Sequence, residues 1–226
     1  MRLNSFLMLL LFLIPTYSWE AILEEHFNSP TPFPPDGWTS TQYYYFNDHA
    51  NWAYNAGNTF MPGGHAYGEA VSHSASSPHV TPADLITCYI TLEQGKQNYL
   101  HFRYYSSTAY TTGMYNRIYV EDNGVPLYTY WIPTSNYNER HKAILIMPAI
   151  STTSPLFKVR FRVEAVGSGP SPAEGTFQVD DVFMAYVTKD TVFPPDAEIA
   201  YFIPINRASV AQIVPESLSG IKAIYR

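Results

Sequence analysis

Two pairs of adjacent acids stand out for the chemistry they could do. "EEHF" (24–27) puts Glu24 and Glu25 at the opening of an apolar segment, and "VDDV" (179–182) puts Asp180 and Asp181 inside a segment that otherwise reads as a buried strand. Neighbouring residues on a strand point to opposite faces, so one acid of each pair must face inward or toward a neighbouring loop. An unpaired buried carboxylate is costly, and the remedies are backbone N–H donors, a cationic partner or a metal ion. Calcium suits such a place because it takes about six to eight oxygen ligands, backbone carbonyls included. The plain alternative is that these acids sit at an exposed edge. Strict alternation puts Asp181 on the face of Phe177, Val179 and Phe183, and Asp180 on the opposite face.

Other reactive constellations are sparse. His65, His73 and His79 fall within "GGHAYGEAVSHSASSPHV" (63–80), where three histidines could ligate zinc or copper. Their spacing is wider than such ligand sets usually show, which favours solvated loop histidines. No G-x-S-x-G elbow, H-E-x-x-H, P-loop or paired-cysteine zinc pattern is present. Two carboxylates about 5 to 10 Å apart could hydrolyse a glycoside, but the acids here gather at strand ends and turns, so no catalytic residue is assigned. Cys88 is the only cysteine, which forbids an intramolecular disulfide, and its apolar surroundings suit a buried inert side chain.

The elements that must position these residues read as strands. Candidates are "AILEEHF" (21–27), "QYYYF" (42–46), "DLITCYITL" (84–92), "NYLHFRYYS" (98–106), "MYNRIYVED" (114–122), "LYTYWIP" (127–133), "RHKAILIMP" (140–148), "LFKVRFRVEAV" (156–166) and "FQVDDVFMAYV" (177–187). No stretch keeps apolar residues at helical spacing for three turns. In "FKVRFRVEAV" the alternation is clean, with Phe157, Val159, Phe161, Val163 and Ala165 on one face and Lys158, Arg160, Arg162 and Glu164 on the other. "DNG" (122–124) is a hairpin signal, because Asn-Gly tolerates the positive φ such turns need. "GSGPSPAEG" (167–175) reads as an exposed loop.

Composition agrees with sheet. Aromatics make up 16% of the chain against 14% charged residues, and 19 of the residues are tyrosine, a bias toward β-formers. A net charge of −6 argues against a nucleic-acid partner, since phosphate-binding domains present basic patches. Arg2 precedes an apolar run from Phe6 to Ile14 and then Pro15, with small residues at Thr16 and Ser18, so residues 1–18 read as a secretory signal peptide. That run is shorter than the roughly 20 residues a spanning helix needs, and no later run is longer without a break. The expected product is exported, extracellular or at the cell surface, with no membrane span. After residue 188 prolines recur at 194, 195, 204 and 215, so 189–226 reads as a linker and the start of a further β segment or a docking tail, following a β domain at 19–188.

The order of motifs resembles MAM-like jelly-roll modules of the choice-of-anchor J and cleaved-adhesin type. The matching pieces are "EEHFNSPTPFPPDGWTS", "NDHANW" (47–52), "LITCYITL" (85–92), "YLHFRYYS", "VRFRVEA" and the closing "FQVDDVFM", over about residues 21 to 187. The resemblance implies an all-β, two-sheet antiparallel jelly-roll sandwich. It also implies a non-catalytic adhesion or binding role and structural Ca2+ near the first and last strands. Glu25, Asp48, Asp180 and Asp181 match the family's acidic positions and are the candidate metal ligands. Cys88 stands where proline is usual and Asp84 where tryptophan is common, and the 47–52 loop has fewer acids than usual. The expected partner is an extracellular glycan or protein surface, and Tyr43, Tyr45, Trp52 and Trp131 are candidates to stack on a sugar ring. Each of the four has a packing alternative. A secreted hydrolase and a purely structural spacer are the rival readings.

Overall fold

The computed structural model describes residues 21–73, 79–108, 113–132, 141–167 and 172–205. The expected signal peptide, the tail from residue 206 and part of the 167–175 loop lie outside the described residues. In chain order the strands are β1 (Leu23–Glu25), β2 (Thr39–Ser40), β3 (Tyr43–Tyr45), β4 (Asp48–Asn55), β5 (His65–Ser72) and β6 (His79–Ile86). They continue as β7 (Ile90–Leu92), β8 (Asn98–Thr108), β9 (Met114–Asp122), β10 (Val125–Ile132) and β11 (His141–Met147). The last four are β12 (Ser154–Gly167), β13 (Ala173–Tyr186), β14 (Glu198–Tyr201) and β15 (Ile203–Pro204). Among the described residues no helix is long and apolar enough to cross a membrane.

These strands form two sheets, the all-β jelly-roll sandwich that the family resemblance implies. The first runs β14-β11-β8-β13-β5-β4-β3 with β1 also on β13, and the second runs β15-β10-β9-β12-β6-β2 with β7 on β12. All pairings are antiparallel except β11 with β14. Inward residues interleave between the layers. Phe161 of β12 meets Phe102 of β8 at 5.8 Å and Phe177 of β13 at 6.5 Å between ring centroids. The hairpin joining β9 to β10 turns at Asn123 and Gly124, with φ of 50° and 78°, as the Asn-Gly pair requires.

Several strands are ones the sequence pattern does not announce, β4 and β5 among them. β4 and β5 pair along their length, yet their inward positions are Ala50, Trp52, Ala66, Gly68 and Ala70. Alanine and glycine are poor strand formers, but here their small size makes room for Trp52. A Cβ added to Gly68 would come within 2.9 Å of the Trp52 ring. Trp52 also packs on Phe177 and donates Nε1–H to the Ala83 carbonyl at 3.1 Å, tying the first sheet to the second. His65, expected in a solvated loop, is a fully buried residue of β5.

The segment after residue 188 belongs to the sandwich. β14 lies along β11 as the edge of the first sheet, and β15 lies along β10 as the edge of the second. Between β13 and β14, Phe193 packs at 5.1 Å on Tyr99 and, with Ile144, Ile146 and Ala185, makes a second apolar cluster on the outer side of the first sheet. The expected domain edge at residue 188 thus falls inside the packed body, because the prolines there turn the chain without detaching it.

Candidate functional site

The paired aspartates occupy a β-bulge. β13 pairs with β8 at Asp180↔Arg103 and again at Phe183↔His101, so Asp181 and Val182 together face the single residue Phe102. Asp181 has φ of 48°, and its N–H donates to Asp180 Oδ1 at 2.8 Å. The extra residue resets the alternation: Phe177, Val179, Val182 and Met184 line the main core, whereas Phe183 turns outward to the second cluster. The strict alternation expected from the sequence therefore fails at Asp181, whose side chain turns out to the same cation that holds Asp180.

That cation is Arg103. Its Nη2 donates to Asp180 Oδ2 at 2.6 Å, and its Nε lies 2.5 Å from Asp181 Oδ2 as a charge contact without hydrogen-bond alignment. His26 adds a bridge from the first strand, with Nδ1 2.8 Å from Asp181 Oδ1 and Nε2 2.9 Å from Glu24 Oε1. Hydrogen bonds to Asp181 and then Glu24 hold the His26 imidazolium above the usual histidine pKa. Burial raises the Asp180 carboxyl, an effect that the Asp181 N–H and Arg103 oppose.

The first and last strands of the proposed metal arrangement do meet, since β1 pairs with β13 at Glu25↔Val182. Glu25, however, uses Oε1 to accept the Phe27 N–H at 2.7 Å, and it is Glu24 that reaches Asp181 through His26. Asp48 is level with the other end of β13: its neighbour His49 aligns with Val71, and Val71 with Glu174. That is roughly 25 Å along the strand from Val182 at ordinary β spacing. Asp48 accepts the His73 N–H at 2.6 Å. No group of three or more His, Cys, Asp or Glu side chains among the described residues is arranged to hold a metal ion. As arranged, Glu25, Asp48, Asp180 and Asp181 do not fit the oxygen cage that calcium requires. Beside β1 a shallow cleft of about 340 Å³ is lined by Glu24, Glu25, His26, Asn28 and Asp36 among others.

The four aromatic candidates separate. Trp52 is 3% exposed and belongs to the core, so it cannot stack on a ligand. Tyr43 is half-buried against the same core. Tyr45 is 55% exposed at the edge of the first sheet, and Trp131 is 46% exposed on the outer face of the second.

Around Trp131 the side chains of the outer face are cross-linked. Register sets Trp131 beside Arg117, Arg117 beside Arg162, and Arg162 beside Asp84. The Arg117 guanidinium lies 3.8 Å from the Trp131 ring centroid, and Tyr115 meets that ring edge-on at 5.7 Å. Arg117 also donates to Glu164 at 3.2 Å and to the Tyr119 hydroxyl at 3.2 Å. Arg162 grips Asp84 with two bonds of 2.7 and 2.9 Å, which holds its guanidinium pKa above the usual value. Arg160 bridges Asp84 at 3.2 Å and Glu121 at 2.9 Å. The alternation of "FKVRFRVEAV" made this row of charges legible; the acids that neutralise it, on β6 and β9, became visible only with the register.

No protein-family model matches the sequence, and no curated protein does. Several solved structures are similar to the chain at low identity. The K1 cleaved adhesin domain of Lys-gingipain from Porphyromonas gingivalis W83 is 16% identical, over 74% of this chain and 98% of its own, with a TM-score of 0.46. A cyclase from Fischerella sp. TAU is 12% identical over 74% and 96%, with a TM-score of 0.45. The CBM22-1 xylan-binding domain from Paenibacillus barcinonensis Xyn10C is 9% identical over 75% and 96%, with a TM-score of 0.43. At these values the likeness carries no argument about this chain.

Proposed function

We propose that the chain is a non-catalytic binding module of an exported protein, and that the outer face of the second sheet takes a carbohydrate. The observation that carries this reading is Trp131, an exposed ring packed against Arg117 and Tyr115 on the outer face of the sheet. The charges of that face are spent on one another, with Asp84, Glu121 and Glu164 each held by arginines. What such a face offers a ligand is aromatic surface, with hydroxyl groups such as those of Tyr115 and Tyr119 at its sides. A sugar ring, with apolar C–H faces and a rim of hydroxyls, has the matching chemistry.

The same pairing supports a non-catalytic role. Glycoside hydrolysis needs one carboxylate free to act as base or nucleophile beside another kept protonated. On this face the carboxylates are charge-paired, while beside the β1 cleft Glu24 is bound by His26 and Glu25 caps a backbone N–H. Export is part of the proposal and rests on Arg2 followed by the apolar run Phe6–Ile14. The test is a glycan array probed with the mature chain and with Trp131→Ala, each with and without a chelator. Binding that Trp131→Ala abolishes and the chelator leaves unchanged is the expected result. Binding to no glycan sinks the carbohydrate reading, and binding lost on chelation alone restores calcium.

A further inference from the structure

The hairpin that joins β3 to β4 ends in a knot of exposed rings. Tyr45 pairs with Asp48, leaving Phe46 and Asn47 as a two-residue loop. Phe46 is 92% exposed and has φ of 54°. The first loop position with positive φ belongs by preference to glycine, and a bulky side chain there is an outlier. An outlier of this kind is a reason to look for a function. Burial does not account for it, because Phe46 touches little of its own protein beyond the Tyr45 ring, which it meets edge-on at 4.7 Å.

The neighbouring rings are arranged around the tip and not along one side of it. Tyr44 and Tyr45 are 66% and 55% exposed, and as successive strand residues they point to opposite faces. With Phe46 at the apex packed on Tyr45, and Tyr44 on the opposite face, the hairpin presents aromatic surface on both of its sides. A pocket in a partner protein engages one side of such a knob. An isotropic apolar medium engages all of it.

Charge points the same way. The stretch "TQYYYFN" (41–47) has no ionisable acid or base other than its tyrosine hydroxyls. The next residue, Asp48, is buried and bonded to the His73 N–H, and His49, opposite Tyr44, is paired with Glu69 at 3.2 Å. Nothing at the tip would carry a charge into hydrocarbon, which is the main cost of membrane insertion. Tyrosine suits the boundary itself, with its ring in the apolar layer and its hydroxyl among headgroups.

We infer that the Tyr44-Tyr45-Phe46 tip inserts into the interface of a zwitterionic lipid surface, anchoring the module without spanning the bilayer. Net charge selects the lipid class, since a chain at −6 is repelled by anionic headgroups. This inference is independent of the carbohydrate face, which lies on the other sheet.

The test is co-sedimentation of the mature chain with phosphatidylcholine vesicles. Phe46→Gly is the decisive variant, because it deletes the ring while giving the turn the residue its backbone prefers, so lost binding cannot come from lost folding. Partition is expected to fall about tenfold in Phe46→Gly, the scale set by withdrawing one large apolar side chain. It is expected to stay unchanged in Trp131→Ala, and to weaken when phosphatidylserine replaces part of the phosphatidylcholine. Three outcomes overturn the inference: no partition of the wild-type chain, equal partition by Phe46→Gly, or a tip that binds a protein partner and no vesicle.

Discussion

His26 stands between Asp181 and Glu24 with both ring nitrogens within 2.9 Å of a carboxylate oxygen, an arrangement that only the imidazolium can satisfy twice over. Its folded pKa is therefore raised, and the sign of its contribution follows: stability is fully present below the unfolded value of about 6.5 and is lost as pH rises through the folded value. His65 and His101 act in the opposite sense. Burial lowers both, so their contributions are present above the unfolded value of about 6.5 and are lost as pH falls from there through the lowered folded values. The wild-type curve mixes these effects, and the difference between wild type and His26→Gln isolates one of them. In thermal melts the wild type should be the more stable below pH 6.5, by under about 1 kcal/mol because the group is half exposed, and the gap should close as pH rises above neutrality. A gap that persists at high pH would assign His26 a packing role instead. The paired acids were legible from their place in an apolar run; their partner was not. Arg103 is 77 positions from Asp180 in sequence, and nothing local signals the bulge that brings Asp181 onto the same guanidinium.

At the scale of elements, what sequence periodicity reveals depends on side-chain size. In β12 the alternation read from the sequence holds, with Phe157, Val159, Phe161, Val163 and Ala165 in the core and Lys158, Arg160 and Arg162 outward, because large apolar and polar residues take turns along it. β4 and β5 were hidden because their inward positions carry alanine and glycine, which leave no hydrophobic signal although they face the core. Their smallness is a packing requirement set by Trp52. Gly68→Ala is expected to force the Trp52 ring, 2.9 Å from the new methyl, off its contacts with Phe177 and the Ala83 carbonyl. Overpacking of that kind costs about 1 to 3 kcal/mol, to be read from urea denaturation midpoints. The double variant Gly68→Ala with Trp52→Phe should recover part of the loss, since the two residues are in contact and their effects cannot add. Full additivity would mean that the strain is relieved somewhere other than Trp52.

For the molecule as a whole, the question is what fastens a sandwich that has one cysteine and, among its described residues, no cluster of metal ligands. Part of the answer is β1 on β13, clasped by His26. The larger part is the segment after residue 188. It leaves the first sheet, lays Phe193 over Tyr99, adds β14 beside β11, buries Phe202 in the main core and ends as β15 beside β10 of the second sheet. One chain segment thus covers the longer edges of β11 and β10 with short edge strands, and long edges left open invite pairing with other chains. A chain ending at residue 188 would lose Phe193 and Phe202, each worth about 2 kcal/mol of burial as an upper estimate. At about 2 to 4 °C per kcal/mol for a domain of this size, its melting temperature is expected to fall by roughly 10 °C. Aggregation should rise as well, because the outward faces of Tyr99, Ile144 and Ile146 become exposed beside the uncovered edge of β11. A truncated chain that melted with the full-length one would show that 189–205 rests on the sandwich without stabilising it.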